Sequence, residues 1–331
     1  MTAPSAPATP PVSPAADLPA ARPSRVLRVA LLVNLAAQVG IVLTGGLVRL
    51  TGSGLGCPTW PQCVPGSYTP VVQQPQGWHK DIEFGNRMLT FVVGVAGVAA
   101  LVLTWRYVRR AQLPRRLLAL AAAPLLGVVA QAVLGGVTVL TGLSPATVAA
   151  HFLLSMVLVA ASTVLYLAVC APTPAASVRR EIVQLGWAVA ALAGVVLVLG
   201  TVVTGSGPHS GDADRPARFG FDPRTVSWLH ADAVWLFVGL VVALVVALRL
   251  SSAPVASRRA VGLLVVTLLQ GVIGYVQYAT DLPVALVAAH LLGASSLVVA
   301  VTAVLVALTG TPAARWLPAS APLPATAAEA G

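Results

Sequence analysis

Residues 284–309 read VALVAAHLLGASSLVVAVTAVLVALT, a stretch of apolar and small residues with no charged side chain and a single histidine. About 20 apolar residues in a helix cross the ~30 Å of hydrocarbon in a bilayer, so this stretch is long enough to span a membrane. Seven similar stretches precede it, at about 26–48, 84–105, 116–140, 147–170, 182–204, 225–249 and 260–279. Lipid offers the backbone no hydrogen-bond partners, and none of the stretches alternates in polarity as a barrel strand would. The sequence therefore predicts an all-α integral membrane protein with eight transmembrane helices.

The composition of the chain agrees with a membrane location. Of its 331 residues, 57% are hydrophobic and only 9% are charged, and the mean hydropathy is +0.87. A soluble domain carries roughly a quarter charged residues, so this chain cannot cover itself with a polar surface. The net charge of +10 does not indicate a nucleic-acid partner, because the basic residues are scattered between the apolar stretches and form no single stripe. We expect the lipid bilayer to surround the protein.

The distribution of basic residues predicts the orientation of the chain. If the N-terminus is cytoplasmic, 14 of the 20 lysines and arginines fall on the cytoplasmic side, as the positive-inside rule requires. Both termini are then cytoplasmic, and two long loops, at about 49–83 and 205–224, lie outside. The alanine- and arginine-rich composition is typical of a high-GC bacterial genome, which places the chain in a bacterial plasma membrane.

An internal repeat relates the two halves of the sequence. The motif Thr-Gly-Ser-Gly at 51–54 recurs at 204–207. Further matches at one constant offset pair Gln131, Gly135, Thr141, Leu143 and His151 with Gln270, Gly274, Thr280, Leu282 and His290. Each half holds four helices and enters the membrane from the same side, so the repeat axis lies along the membrane normal. We expect two pseudo-symmetric four-helix bundles. Their predicted bounds are 26–170 and 182–309, with a cytoplasmic linker at 171–181, a disordered cytoplasmic tail at 1–25 and a second cytoplasmic tail at 310–331.

The three cysteines divide into a pair and a single residue. Cys57 and Cys63 lie close together in the first long loop, on the side of the membrane where disulfides persist. This spacing predicts a disulfide. A metal or redox site is disfavoured, because the pair is not a C-x-x-C motif and no further ligands lie nearby. Cys170, at the cytoplasmic end of the fourth helix, is expected to be a buried free thiol.

Three histidines are predicted to lie at one depth in the membrane. His151 and His290 occupy equivalent places near the outer ends of helices four and eight, and His230 lies at a similar depth in helix six. Each could simply form a hydrogen bond with a neighbouring helix. However, His230 and His290 belong to two helices of one bundle, and paired imidazoles of this kind hold haem iron in helical membrane proteins. Zinc would need a tighter cluster of three or four ligands.

The first bundle lacks the fourth histidine. Alignment of the two halves brings Asn86, within the segment Glu83-Phe84-Gly85-Asn86-Arg87, opposite His230. The second bundle therefore has a complete pair of histidines, whereas the first has His151, an asparagine and a nearby carboxylate. An incompletely ligated haem admits a reacting partner, whereas a saturated haem only passes electrons.

Taken together, these residues resemble the haem A synthase family over about 26–309. The motifs that carry the resemblance are the glycine-rich segment 51–58, the two loop cysteines, Glu83 before helix two, the segment 205–212 and the three intramembrane histidines. The resemblance implies oxidation of a methyl group of haem O to the formyl group of haem A, by successive hydroxylations, for assembly of haem A-containing terminal oxidases. It also implies a haem O synthase and a membrane electron donor as partners, and it leaves the oligomeric state open.

The resemblance also implies roles for particular residues. His230 and His290 would be the axial ligands of a resident haem b, and His151 an axial ligand of the substrate haem O. Glu83 would be the catalytic carboxylate, either for proton transfer or for stabilising positive charge on the oxidised carbon. A carboxylate near a helix N-terminus is also favoured by the helix dipole. The sequence departs from the family motif Glu-x-x-His-Arg at Asn86, which puts two-histidine ligation of the substrate in doubt, and its third outer loop has no cysteine pair.

The remaining polar residues near the predicted site allow several interpretations. Arg87 could bind a haem propionate, pair with Glu83 or anchor the chain at the membrane interface. His79, next to Trp78, is expected to be an interfacial residue, although it could ligate the substrate haem if the loop folds inward. His209 is expected to form loop hydrogen bonds.

Two other classes of function fit parts of the sequence. A di-haem cytochrome b that only carries electrons would need two histidine pairs, which Asn86 breaks. A secondary transporter would also show repeats and intramembrane polar residues. Transporter helices are usually broken at mid-membrane, however, whereas the polar residues here gather at the outer edge.

Overall fold

The computed structural model describes residues 22–212 and 216–311, and in these ranges it contains eight long helices. They are α1 (Arg25–Leu50), α2 (His79–Arg110), α3 (Arg116–Leu140), α4 (Pro145–Cys170), α5 (Arg180–Ser206), α6 (Pro223–Arg249), α7 (Pro254–Ala279) and α8 (Val284–Thr309). All eight are long and apolar enough to cross a membrane. The prediction of an all-α protein with eight membrane-spanning helices is confirmed. Most of the two predicted tails lies outside the described residues.

Local sequence signals explain where several helices begin and end. The side chains of Ser24 and Asp222 accept hydrogen bonds from backbone N–H groups in the first turns of α1 and α6. Proline occupies the first turn of α4, α6 and α7, where its missing N–H costs nothing. These capping residues and prolines therefore mark the positions at which a preceding segment ends and a helix begins.

The helices α3 and α7 end in the same kind of turn. Gly142 and Leu143 have φ values of 61° and 57°, and Asp281 and Leu282 have values of 59° and 58°. In both turns the leucine N–H donates to a carbonyl five residues earlier, at 2.9 Å after α3 and 2.8 Å after α7. This closes the last helical turn in the manner of a Schellman motif. Positions related by the sequence repeat thus share an uncommon backbone conformation.

Helix contacts group the chain into two sets of four. In the first half, α1 and α3 each pack against both α2 and α4, and in the second half α5 and α7 each pack against both α6 and α8. The halves meet through α1, α4, α5 and α8. The arrangement favours two four-helix bundles in which α2 lies diagonally across from α4, and α6 from α8. The pseudo-symmetric relation of the bundles stays a prediction.

The tightest apolar packing lies at one end of the bundle, away from the two long loops. One cluster joins the start of α1 to the end of α2 and includes Leu31, Val108 and Leu165, all at most 4% exposed. A second, larger cluster lies at the same end of α5–α8 and includes Leu248 and Leu308. We call the opposite end, which carries the α1–α2 and α5–α6 connections, the loop end. Because the cores fill the other end, space for a ligand remains at the loop end.

Candidate functional site

A large cavity occupies the loop end of the bundle and is lined by residues of both halves. Its volume is about 2210 Å³, more than twice the upper end of the ~300–1,000 Å³ usual for small-molecule sites. Most of its wall is apolar, and the predicted site residues His151, His230, His290, Glu83 and Asn86 all line it. The cavity therefore suits a large, mostly apolar ligand that needs a few polar contacts.

Each of the three histidines lies with one ring edge against a glycine of the preceding helix. A Cβ atom built on the glycine would lie 3.3 to 3.5 Å from the imidazole Cε1, for the pairs Gly135 with His151, Gly200 with His230 and Gly274 with His290. The Nδ1 atoms of all three rings are buried, and those of His151 and His290 have no hydrogen-bond partner in the described part of the chain, whereas His230 forms a hydrogen bond with the backbone of Val196. The edge carrying Nε2 is thus the part of the ring that can face the cavity, as an iron ligand must.

Two glutamines hold the backbone of two of these histidines in the same way. Gln131 Nε2 donates to the carbonyl of His151 at 2.9 Å, and Gln270 Nε2 donates to the carbonyl of His290 at 3.0 Å. Both contacts run from the third helix of a half to the fourth. The glutamines and the histidines match at one sequence offset. The two pairs related by the predicted repeat therefore make the same local contact.

Asn86 lies on α2 in the cavity wall, as His230 lies on α6. A Cβ atom built on Gly45 of α1 would lie 3.7 Å from Asn86 Nδ2, as one on Gly200 of α5 would lie near His230. The Oδ1 atom of Asn86 is buried and has no hydrogen-bond partner within the described ranges. The amide therefore lines the cavity across from α4, with a free acceptor where the second half presents an imidazole.

Glu83 and Arg87 form an ion pair that ties α2 to the first long loop. Arg87 Nη2 lies 2.7 Å from Glu83 Oε1, and Glu83 Oε2 accepts a hydrogen bond from the backbone N–H of Cys57 at 2.6 Å. The Arg87 guanidinium also donates to the carbonyls of Cys57, Thr59 and Gln62. Of the three roles considered for Arg87, the structure shows the pairing with Glu83, and all its nitrogens have protein acceptors.

The first long loop covers the cavity above the first half. Cys57 and Cys63 are joined by a disulfide and are completely buried, which agrees with the predicted bridge. Between them the indole of Trp60 lies directly over Gly136 of α3, where any side chain would collide with it. Cys170 is a free thiol and is partly rather than fully buried.

The two remaining histidines, His79 and His209, lie at the loop end, and both have partners within the protein. His79 Nδ1 lies 2.8 Å from Ser53 Oγ, and its ring stacks on Trp78 at 3.9 Å between centroids. His79 is not among the residues that line the cavity. The structure therefore does not support His79 as a ligand of the substrate haem. His209 Nε2 lies 3.0 Å from the Leu282 carbonyl oxygen, as expected of a loop residue with a hydrogen-bonding role.

Sequence reasoning missed four charged residues of the cavity wall, Arg49, Arg224, Asp232 and Asp281. Asp232 lies two residues after His230 and is exposed. A carboxylate inside an apolar span is itself a signal of function, so it could have been found. Arg49 was counted only as a charge on the outer side. Its place in the wall depends on contacts with α5, which the sequence does not reveal.

Residues 28–302 match the COX15-CtaA family of cytochrome oxidase assembly proteins. The chain belongs to this family. Among curated relatives, it is 36% identical over 137 residues to the heme A synthase of Lysinibacillus sphaericus, an alignment covering 38% of this chain and 40% of that protein. It is 32% identical over 118 residues to the heme A synthases of Bacillus mycoides and Bacillus cereus, covering 35% of this chain and 36% of theirs. The alignments thus span about two fifths of these relatives. They support the resemblance to the haem A synthase family.

The residues present fit a haem. Imidazole is an axial ligand of haem in many proteins, and the three rings of this cavity have buried Nδ1 atoms and glycine neighbours that leave room for ring placement. The cavity wall is mostly apolar, as the porphyrin and a farnesyl chain would require. Among the described residues, no group of three or more His, Cys, Asp or Glu side chains is placed to hold a metal ion.

Proposed function

We propose that this protein is a haem A synthase, which oxidises a methyl group of haem O to the formyl group of haem A by successive hydroxylations with loss of water. One observation carries the proposal. A single cavity holds three glycine-backed imidazoles, and the fourth corresponding position is filled by an amide that is a poor iron ligand. Such an arrangement suits one resident haem and one haem that is bound only to be changed.

In the C-terminal half, residues 182–309, His230 and His290 would hold a haem b. The two residues lie on α6 and α8, which are diagonal in the bundle, and both line the cavity. Two imidazoles approaching from opposite sides can occupy both axial positions of an iron. When bound, this haem would supply single electrons to the neighbouring site. The protein's contribution is to fix both rings by helix packing and to surround them with apolar side chains.

In the N-terminal half, residues 26–170, His151 would hold the substrate haem O. Asn86 lies diagonally across from it on α2, and its amide, a poor iron ligand, would offer no second imidazole to this haem. Glu83 lies one helical turn before Asn86 in the cavity wall, and both its carboxylate oxygens accept hydrogen bonds. These contacts fix the position of the Glu83 side chain in the wall. Its proposed role is therefore to stabilise positive charge that develops on the oxidised carbon of the substrate.

Arg87 and the first loop would position that carboxylate. Five donor contacts from Arg87 reach Glu83 and three loop carbonyls, so the carboxylate cannot rotate away from the cavity.

We also propose that both termini and the linker 171–181 face the cytoplasm of a bacterial cell. Haem O would come from a haem O synthase, and electrons from a membrane donor.

The proposal is tested by extracting haem from cells that express the protein with a supply of haem O, and identifying the products by mass. We expect haem A from the wild type and none from Glu83→Gln, which should leave unoxidised or partly hydroxylated haem while haem b stays bound. His209→Ala is the matched control, because His209 also lines the cavity but bonds a loop carbonyl, and it should still make haem A. Full haem A production by Glu83→Gln would contradict the assigned role.

A di-haem electron carrier is the second candidate. It would need both bundles to hold a permanently ligated haem, and the placement of Asn86 against Gly45 speaks against this. In the extraction experiment a carrier would return haem O unchanged.

A further inference from the structure

Arg49 is a cation of the cavity wall with an unsatisfied donor. It lies in the last turn of α1, and its Nη2 donates at 2.8 Å to the carbonyl of Thr204 in the last turn of α5. This contact crosses from the first half to the second and caps the C-terminus of α5, where a positive charge is favoured. The Nε atom of Arg49 is buried and has no hydrogen-bond partner in the described residues. Capping α5 therefore explains only part of this guanidinium.

The other two cations of the wall are already accommodated. Arg87 is paired with Glu83. Arg224 is exposed at the start of α6, with its guanidinium 5.3 Å from the centre of the Trp228 ring. Arg49 differs from both, because it is neither exposed nor paired.

No carboxylate of the cavity wall neutralises Arg49. The acidic residues among the described lining are Glu83, Asp232 and Asp281, and none of them forms an ion pair with Arg49. An uncompensated charge at membrane depth is expensive. A carboxylate on the ligand that fills the cavity would compensate the charge of Arg49.

The neighbours of Arg49 show which part of the cavity it serves. Gly46, one turn before Arg49, packs against Leu291, the residue after His290. Thr204, which accepts the Arg49 hydrogen bond, lies one turn beyond Gly200, the glycine that contacts His230. The guanidinium thus lies on the side of the second half, about one helical turn closer to the loop end than the two imidazoles.

We propose that Arg49, a residue of the N-terminal half, binds a propionate carboxylate of the haem held in the C-terminal half. The inference rests on the proposed function, since it takes the ligand of His230 and His290 to be a haem. A guanidinium and a carboxylate form strong charge-assisted hydrogen bonds, and the unused Nε of Arg49 supplies a donor. One half of the molecule thereby completes the ligand site of the other.

The test compares two haems that differ only in their carboxylates. The full-length protein in detergent, freed of haem, is titrated with haem b and with haem b dimethyl ester, and binding is followed by the low-spin absorbance band. We expect the wild type to bind haem b about tenfold more tightly than the ester, the scale of one charged hydrogen bond. Arg49→Gln should bind the two equally, and Arg49→Lys should recover much of the preference.

The matched control is Arg218→Gln. Arg218 is an exposed arginine of the third outer loop that donates one hydrogen bond, to the Pro208 carbonyl at 3.3 Å, and it should keep the tenfold preference. A purely structural role for Arg49 would weaken both haems alike and leave their ratio unchanged, which would overturn the proposal. Equal affinities in the wild type would overturn it without any variant. If the wild type binds neither haem, the proposed function itself fails.

Discussion

The two halves of the cavity share the contacts that position one histidine each but differ in the residue proposed to lie opposite that histidine. His151 and His290 are each backed by a glycine and held by a glutamine, but His151 faces Asn86 across its bundle, whereas His290 faces His230. Two axial imidazoles retain a haem, and one imidazole leaves a face free. The comparison indicates how a duplicated scaffold can hold one haem permanently and exchange another.

The helix walls of the two halves differ as well. Between α6 and α7, Trp235 Nε1 donates a hydrogen bond to Tyr275 Oη at 2.9 Å. At the corresponding positions of the first half stand Phe91 and Gly136, and it is the loop residue Trp60 that covers Gly136. In the second half, a hydrogen bond joins the two helices of the wall at this point. In the first half, a residue of the first long loop covers the corresponding position.

The largest expected effect is the loss of haem b when either of its ligands is removed. His230→Ala or His290→Ala should abolish most of the low-spin haem signal, because a single imidazole cannot fill both axial positions. His151→Ala should leave this signal in place. Absorbance spectra of the three purified variants check the prediction, and normal spectra from both His230→Ala and His290→Ala would refute it.

A smaller change should make the first half resemble the second. Asn86→His restores an imidazole opposite His151, so we expect a second low-spin haem to be retained and haem A release to slow. Asn86→Ala, the control, should be mild, since it removes an amide that is a poor ligand. The haem-to-protein ratio of each purified protein measures this effect. A ratio for Asn86→His no higher than that of the wild type would count against the assigned position of Asn86.

Loosening the wall of the second half should speed the loss of its haem. Trp235→Phe removes the hydrogen bond to Tyr275 and keeps the ring. A single hydrogen bond contributes about 1 kcal/mol, so haem b should dissociate roughly fivefold faster. Transfer of haem to an excess of an apo-haem protein measures the rate. Phe91→Leu in the first half should leave that rate unchanged, and equal effects of the two variants would show that the wall bond has no special role.

The smallest effect is expected from the loop disulfide. Cys57→Ser should lower the free energy of unfolding by about 2 kcal/mol, the low end of the usual range, because the closed loop is short. Haem b binding should persist. Denaturant unfolding followed in detergent tests this, and labelling of three free thiols in the unreduced, denatured wild type would show that the bridge is absent.

Helix positions follow from sequence because hydropathy is a local property. The structure places α3 and α8 within the predicted bounds, whereas α2 and α7 begin earlier than predicted, at His79 and Pro254. Helices continue beyond the apolar core into the polar interface, where hydropathy no longer marks them. Arg259, for example, lies within α7 and donates to the Ala303 carbonyl of α8 at 2.9 Å.

Contacts between distant segments were not predictable in the same way. The repeat related His151 to His290, and alignment of the two halves predicted that Asn86 corresponds to His230. By contrast, the Arg49 contact with Thr204 joins residues 155 positions apart, and the cover of Gly136 by Trp60 depends on how the first loop crosses α3. Neither leaves a periodic or motif signal in the sequence, because each is set by the packing of whole helices.

The exchange of haem between solution and the two sites tests the central claim most directly. Protein loaded with unlabelled haem is incubated with excess ⁵⁷Fe-labelled haem O, and the bound haems are identified by mass over time. We expect a rapidly exchanging pool that is lost in His151→Ala, and a slowly exchanging haem b that is lost in His290→Ala. A single exchange rate for all bound haem, or loss of the rapid pool in His290→Ala with its retention in His151→Ala, would contradict the account.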